Sequence, residues 1–168
     1  MDIFIEKLVK KQKTSKDMLK AIGLILASLV IVFFIVPLIP FVKGFLIFFI
    51  VAIPFFAYYV IKSQNVEYEY AYTNGELDVD RIVAESRRKR LLSVDCKDFE
   101  IVAKVSSDKY SDEYRKIPNK VEAVSSMTSP DVYFAVFENA GKRTILYFEP
   151  NDKMIEAMWK YIPRKFFK

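Results

Sequence analysis

The chain has 168 residues and a net charge of +5; its apolar residues are concentrated between positions 21 and 61, and charge is dense elsewhere. It contains no histidine and a single cysteine, Cys96, which excludes histidine-based triads, histidine-ligated zinc and an internal disulfide framework, and suits a reducing cytoplasm. The pI of 9.1 arises from a short lysine-rich arm rather than from a basic globular domain, so the charge does not indicate nucleic-acid binding.

The first 20 residues form a basic arm. Apolar residues are interleaved with its lysines, so one interpretation is an amphipathic helix on anionic lipid, where each lysine contributes on the order of 1 kcal/mol near the surface. The other interpretation is a plain topology signal without regulated binding, and the sequence does not separate the two. The basic residues of this arm are Lys7, Lys10, Lys11, Lys13, Lys16 and Lys20.

Two apolar segments follow, Ala21–Leu38 and Phe45–Ile61. Each approaches the ~20 residues that a helix needs to cross the hydrocarbon core, and each is apolar on every face, unlike a surface helix of a soluble protein. We therefore predict a two-helix transmembrane hairpin over residues 21–61. Residues that end, turn or bend helices fit this interpretation: Pro37, Pro40, Gly44 and Pro54.

The placement of basic residues predicts the topology. Six lysines precede the first span and Lys62, Arg81 and the run 87–90 follow the second, whereas Lys43 is the one cation between the spans. The positive-inside rule then places both termini in the cytoplasm, so the predicted location is the cell membrane, with two spans. Neither span carries an ionisable residue, which disfavours a transport path and favours an anchor.

Residues 62–168 are predicted to form a mostly antiparallel β domain in the cytoplasm. Val66–Tyr72 alternates polar and apolar residues as a half-buried strand does, and Asn74-Gly75 is a strong hairpin signal. We interpret Ser106–Asn119 as a loop. The tail Tyr161–Lys168 mixes cations with aromatic rings, and we interpret it as a frayed terminus, with contact to the bilayer surface as the alternative. The remaining predicted strands are Leu77–Ala84, Lys89–Val94, Phe99–Val105, Val121–Ser126, Val132–Phe137 and Thr144–Phe148.

A C-terminal helix is predicted after Pro150, with Asn151 or Asp152 as its cap. Its apolar stripe is formed by Ile155, Met158, Trp159 and Ile162. Seven antiparallel strands and one such helix have the order of a pleckstrin-homology-like split barrel, in which the Trp159 face would close an open end. Other small α+β folds share this order. The predicted class is therefore α+β, with an N-terminal transmembrane helical hairpin followed by this barrel.

Four short segments carry a family resemblance: Asn65–Tyr70, Thr73–Asp78, Arg88–Arg90 and Val94–Asp95. They resemble a family of uncharacterised two-span membrane proteins from anaerobic Gram-positive bacteria. The same stretch is similar to bacterial membrane-associated pleckstrin-homology domains. The resemblance covers most of the chain and implies a membrane location and a pleckstrin-homology-like fold. It implies no activity and no catalytic residues.

The densest basic run is Arg87, Arg88, Lys89 and Arg90. One interpretation is contact with an anionic lipid headgroup or a partner, and the other is a solvated strand edge paired with nearby acids. The available acids are Glu76, Asp78, Asp80 and Glu85. The first three share one strand face but lack the glycine-centred loop of a calcium site, so we predict no metal site.

Catalysis has little support in the sequence. Cys96 lacks an activating histidine, no glycine-rich phosphate loop is present, and nothing places Asp95, Asp98 and Glu100 in a cleft. We therefore predict no enzyme activity, no catalytic residues and no cofactor.

The predicted function is a membrane-anchored, non-enzymatic binding or scaffold protein. Its cytoplasmic domain would engage a protein partner of unknown identity or anionic lipid headgroups, and no nucleic acid. One alternative is an accessory subunit that packs into a larger membrane complex through its two spans. Another is a lipid-modifying enzyme that depends on Asp95 or Asp98. The predicted division of the chain is a juxtamembrane arm (1–20), a transmembrane hairpin (21–61) and the β domain (62–168).

Overall fold

A computed structural model describes residues 3–39 and 44–167. The chain divides into two compact units, one formed by Gln12–Asn65 and the other by Met1–Lys11 together with Val66–Lys168. The predicted roles of Pro40 and Lys43 in the connection between the spans lie outside the described residues.

The first unit is helical. Helix α1 covers Ser15–Val30 and continues as a π-helical turn over Ile31–Ile35 and a 3₁₀ turn over Val36–Leu38. Thr14 and Asp17 form a capping box, in which the Asp17 N–H donates to Thr14 Oγ1 at 3.3 Å and the Thr14 N–H donates to Asp17 Oδ2 at 3.1 Å. This cap starts the helix six residues before the predicted apolar span.

Helix α2 covers Leu46–Lys62, within one residue of the second predicted segment, and continues through Pro54. One helix of the described chain, Ser15–Leu38, is long and apolar enough to cross a membrane, and Ile47–Lys62 is apolar but shorter. Only 17% of the apolar window in the longer helix is buried, so most of its apolar surface is exposed. Large side chains such as Leu38 and Ile47 are about 80% exposed.

The second unit begins with a strand that the sequence analysis did not predict. Strand β1, Phe4–Lys10, pairs antiparallel with β2, Val66–Thr73, from Phe4 opposite Thr73 to Lys10 opposite Glu67. Val9 is 6% exposed in the domain core. The interpretation of the arm as an amphipathic helix is therefore wrong for these residues, because alternating apolar side chains bury one face of a strand.

This pairing also changes the division of the chain. Residues 3–11 belong to the β domain rather than to a juxtamembrane arm, and the helical unit is inserted between two neighbouring strands of one sheet. The first sheet is completed by β3, Glu76–Val83, and β4, Arg87–Asp95, in the order β1-β2-β3-β4.

The second sheet has the order β5-β7-β8-β6. Strand β6 runs parallel to β8, so the domain is mostly antiparallel as predicted, but the interpretation of all seven predicted strands as antiparallel is wrong at this edge. A parallel neighbour needs a long connection, which here is residues 124–141 between β6 and β8 and includes strand β7. Its strands are β5, Ile101–Lys104; β6, Asn119–Ala123; β7, Tyr133–Asn139; and β8, Lys142–Phe148.

The predicted loop over residues 106–119 contains a short helix, α3, Asp112–Arg115. Tyr110 and Tyr114 pack against Phe134 on the outer side of the second sheet, and their ring centroids lie 5.0 and 5.5 Å, respectively, from that of Phe134. Ile117 is buried on the same side. The polar composition of this segment conceals the few side chains that cover the sheet, which is why the loop prediction is incomplete.

The main core lies between the two sheets and helix α4, Asp152–Tyr161. The Asn151 side chain caps this helix by accepting the Met154 N–H at 2.9 Å, as predicted. The buried face of α4 includes Met154, Met158 and Ile162, whereas Trp159 is 41% exposed. The buried stripe of α4 is thus shifted by about one residue from the predicted stripe, and the prediction that the Trp159 face closes the barrel end is wrong.

The C-terminal segment is ordered through Phe167. Val102 N donates to Lys165 O, and Phe167 N donates to Val102 O, each at 2.8 Å, so the segment lies along the outer side of β5. Phe166 is 3% exposed. The prediction of a frayed terminus is wrong for these residues, because a buried aromatic ring and two backbone bonds hold them in place.

Candidate functional site

The predicted basic run opens strand β4 at one end of the first sheet. Ile82 lies opposite Arg88 and Val83 opposite Arg87, while Glu67 of β2 lies opposite both Ile82 and Lys10. The end of β1, the start of β2 and the turn between β3 and β4 therefore meet at the same end of the sheet. We call this end, with Lys10, Lys11, Arg81 and Arg87–Lys89, the basic end.

The run does not present four equivalent cations. Arg88 Nη2 lies 2.6 Å from Glu69 Oε2, and Arg90 lies 2.5 Å from Asp80 Oδ1 and 2.7 Å from Asp78 Oδ1. Asp80 is buried beneath these guanidinium groups. The hydrogen bond to Asp80 raises the pKa of Arg90 above its ordinary value. Arg88 and Arg90, two of the four predicted contact residues, are thus ion-paired with carboxylates on the outer face of the sheet.

Arg87 and Lys89 belong to the other side of the strand, because side chains alternate along β4. A β-bulge in β4, with Leu91 as its extra residue, shifts the register between Val79 and Asp80 and places Arg90 opposite Asp80. The bulge is what brings a buried carboxylate within reach of two arginines. The structure therefore divides the run between two faces of the strand, with Arg88 and Arg90 on the outer face and Arg87 and Lys89 on the opposite face.

The acidic group considered as a metal site is used internally. Asp78 and Asp80 contact Arg90, and Glu76 Oε1 accepts a hydrogen bond from Ser93 Oγ at 2.6 Å. A cation would have to displace an arginine from these oxygens, which is unfavourable at a strand surface that does not wrap an ion.

The six lysines of the arm are distributed over different elements. Lys7 and Lys10 lie on β1, where Lys10 Nζ is 3.2 Å from Glu67 Oε1. Lys11 and Lys13 lie in the connection to α1, and Lys16 and Lys20 lie in its first turns. The lysines therefore follow the chain from β1, through the connection, into the first turns of helix α1.

The residues considered for catalysis do not form a common site. Cys96 is fully buried, and its burial raises its thiol pKa to about 12. Asp95 Oδ1 accepts the Lys97 N–H at 2.9 Å and so begins a 3₁₀ turn, whereas Glu100 pairs with Arg143 at 2.9 Å. These carboxylates stabilise local structure.

Two features escaped the sequence analysis. Glu149 is buried and accepts hydrogen bonds from Ser125 Oγ at 2.8 Å and from Ser125 N at 3.3 Å, while its own N–H donates to Tyr70 Oη. A groove of about 450 Å³ lies beside β1 and the start of α4, with Lys7, Tyr133 and Ile155 in its walls. The alternation of β1 was the signal that could have placed Lys7 there.

Two sheets around one core, closed by a C-terminal helix, are consistent with a pleckstrin-homology-like domain, and such domains act in general as binding or scaffold modules. The chain belongs to the family described as Bacterial PH-like domain (DUF6106), whose profile matches residues 1–168. Comparisons with curated proteins and with solved structures gave no match. The match includes residues 12–65, so the helical insertion lies within the region that defines the family.

Proposed function

We propose that the chain is a two-span, membrane-anchored, non-enzymatic binding protein whose PH-like domain works at the cytoplasmic face of the cell membrane. The pairing of β1 with β2 carries this proposal, since Lys11 N donates to Val66 O at 2.9 Å where the helical insertion begins and ends. Paired strands occupy one aqueous compartment. If Ser15–Leu38 crosses the bilayer, the chain must cross back before Val66, and α2 is the segment that can do so.

The length of α2 supports this return span. Its 17 residues extend for roughly 25 Å at 1.5 Å per residue, which is short for a hydrocarbon core of about 30 Å but within the range of known spans. Lys62 ends the helix, and Tyr58 and Tyr59 lie in its last turn. A terminal lysine can extend its amine to the interface, where tyrosine rings also settle.

Cysteine labelling in intact cells tests the topology. In a Cys96→Ser background, we expect Ile39→Cys to react with a membrane-impermeant maleimide from outside. Lys11→Cys and Ser63→Cys should react only after permeabilisation. External labelling of Lys11→Cys, or an Ile39→Cys that labels only from the cytoplasmic side, would contradict two spans.

The basic end supports contact with anionic lipid. Residues 11–14 join β1 to α1, and residues 63–65 join α2 to β2. Four extended residues reach at most about 14 Å, so a bilayer entered by these helices keeps the basic end near its headgroups. Each cation near such a surface contributes about 1 kcal/mol. Lys10, Lys11, Arg87 and Lys89 are the residues proposed to make this contact.

Hydrogen exchange in nanodiscs tests the lipid contact. We expect the turn at residues 83–87 of the full chain to be better protected in phosphatidylglycerol than in phosphatidylcholine. Arg87→Gln/Lys89→Gln should remove the difference. Lys153→Gln/Lys160→Gln, two exposed positions on α4, is the control with the same loss of charge and should keep it. Equal protection in the two lipids would assign the run to a solvated strand edge.

The non-enzymatic part of the proposal rests on the chemistry of the available groups. The sequence has no histidine, and the thiol of Cys96 is buried with a raised pKa. The carboxylates of Asp78 and Asp80 are neutralised by Arg90. Turnover of a phospholipid by the purified full chain, lost on changing Asp95 or Asp98 without unfolding, would contradict this part.

An accessory subunit of a larger membrane complex is the second candidate. Five phenylalanines on the helices are each at least 64% exposed and could pack against partner helices: Phe33, Phe34, Phe48, Phe55 and Phe56. Replacing residues 15–62 by an unrelated two-span sequence distinguishes the candidates in a detergent pull-down. Loss of all partners would favour the subunit, whereas partners retained by the PH-like domain favour the binding protein.

A further inference from the structure

The outer edge of β1 exposes backbone groups that can form hydrogen bonds. On the β2 side, Asn74 N donates to Ile3 O at 3.1 Å and Lys11 N donates to Val66 O at 2.9 Å. Hydrogen bonding alternates along an antiparallel strand, so the odd-numbered residues of β1 bond to β2. The N–H and C=O groups of residues 4, 6, 8 and 10 therefore point away from the sheet.

The groove beside β1 lies against this edge. Lys7 is part of its lining, and Asn151 Nδ2, also in the lining, donates to the outward-facing carbonyl of Glu6 at 3.5 Å. Tyr133 and Ile155 supply apolar surface within the groove. A strand added to β1 would thus place every second side chain in a cavity of about 450 Å³.

The side chains on the outer face of β1 indicate which side chains an added strand would need in order to complement them. Phe4 is 61% exposed and Leu8 is 47% exposed, and Glu6 lies between them on the same face. Within residues 3–39 and 44–167, the Glu6 carboxylate makes no ion pair. A complementary strand has a lysine or arginine opposite Glu6 and apolar side chains two positions to either side, since directly opposite side chains are neighbours.

We propose that the outer edge of β1 binds an extended segment of a partner protein, of the pattern apolar-x-cationic-x-apolar, as a fifth strand of the first sheet. This identifies the partner-binding surface of the proposed binding protein and rests on that proposed function. Two of the other edges, those of β5 and β4, are less suitable. The C-terminal segment occupies the outer side of β5, and β4 begins with four consecutive cations, which oppose edge pairing.

Peptide binding to the full chain in nanodiscs tests the proposal. The probe is a blocked heptapeptide, Thr-Val-Thr-Lys-Thr-Val-Thr, and the control peptide has glutamate in place of lysine. We expect the lysine peptide to bind at least about tenfold more tightly than the glutamate peptide. Glu6→Lys should reverse the preference, and Glu6→Gln should remove it. Because this readout does not depend on topology, it can fail while the two-span anchor holds.

A proline substitution tests the backbone component. Glu6→Pro removes an N–H that points outward and leaves the β1–β2 hydrogen bonds intact, and edge strands tolerate such a residue. We expect it to abolish binding of the lysine peptide, with an unchanged melting temperature. Binding retained by Glu6→Pro, or no binding of the lysine peptide to the unmodified chain, overturns the proposal. A dimer of the peptide-free chain that Glu6→Pro converts to a monomer would assign the edge to a second copy and also overturn it.

Discussion

Gly75 is the glycine at which an added Cβ would meet the closest contacts. It follows Asn74 in the turn between β2 and β3 with φ +104°, and a Cβ there would lie 2.1 Å from Cζ of Tyr161. Gly141 has φ +73° in the β7–β8 turn, and a Cβ added to it would have no other atom within 4 Å. Comparing substitutions at the two glycines therefore separates the cost of backbone strain, which applies at both, from the cost of a steric clash, which applies only at Gly75.

We expect Gly141→Ala to lower the free energy of unfolding by about 1 kcal/mol, and Gly75→Ala by about 2–3 kcal/mol. Denaturant titration of the detergent-solubilised full chain measures both. In a Tyr161→Ala background the additional cost at Gly75 should disappear, because the ring is gone. Equal costs at both glycines in the unmodified chain would show that Tyr161 moves aside.

Single residues with strong local chemistry were predictable from the sequence. Asn74-Gly75 and the Asn151 cap depend on their own backbone conformations, so a short window suffices to find them. Arg88 and Arg90 could be recognised as cations, and nearby acids were among their proposed partners. Their division between two faces depends on the bulge at Asp80, which no local pattern reveals.

At the scale of elements, β1 gives the clearest contrast between two interpretations of the same residues. Val9 is buried in the core and Leu8 lies exposed on the opposite face of the strand. We expect Val9→Asp to lower the free energy of unfolding by about 3 kcal/mol or more, since it buries a charge. Leu8→Asp should change it by about 0.5 kcal/mol or less. Urea titration of the full chain in detergent measures both variants, and equal effects would contradict the strand.

The turn between β3 and β4 is strained by its side chains. Ala84 and Glu85 have φ of 54° and 60°, values that asparagine and glycine adopt at lower cost. We expect Ala84→Asn/Glu85→Gly to raise the free energy of unfolding by about 1 kcal/mol. Thermal unfolding followed by circular dichroism detects this as a higher melting temperature.

A glycine inside a helix provides the control for this turn. Glu156 is exposed in the interior of α4, and Glu156→Gly should lower the free energy of unfolding by about 1 kcal/mol. The same chemical change then has opposite signs at the two positions. A loss of stability in both variants would mean that the Glu85 side chain contributes more than its strained backbone costs.

Elements that pair with a neighbour close in sequence were predicted more accurately than those that pair at a distance. Strand β2 alternates along its whole length and is joined to β3 by a two-residue turn. Strand β1 pairs with β2 across more than fifty residues, and its interleaved lysines fit a lipid-surface helix equally well. The parallel pairing of β6 with β8 also depends on tertiary contacts that a short apolar run does not encode.

At the scale of the whole molecule, the insertion of the helices into the sheet links two properties that the sequence presented separately. The apolar segments indicated a membrane anchor, and the strand count indicated a PH-like domain. The β1–β2 pairing makes the topology of the anchor and the fold of the domain depend on each other. The first sheet is complete only if the two ends of the helical insertion lie in the same compartment. The open edge of β1 follows from its pairing with β2, which the alternation of β1 alone does not specify.

The buried ionisable groups predict how the whole domain responds to alkaline pH. Burial raises the pKa of Tyr70, Tyr72 and Tyr147 above their ordinary value of 10.0, and that of Cys96 from 9.0 to about 12. Above pH 9 the unfolded chain therefore releases protons that the folded chain retains. Stability is fully present below that pH and falls as the pH rises toward the folded-state pKa values.

We expect the free energy of unfolding of the full chain in detergent to change little from these groups between pH 7 and about pH 8.5, and then to fall. Each buried group contributes a slope of at most about 1.4 kcal/mol per pH unit. Tyr70→Phe removes one titrating hydroxyl, so the fall should become shallower even if the variant is less stable at pH 7. Denaturant titrations over this pH range measure both slopes. A slope unchanged in Tyr70→Phe would mean that this hydroxyl ionises equally in the folded and unfolded chains, and that the hydrogen bond it makes with Ala123 O does not keep it protonated.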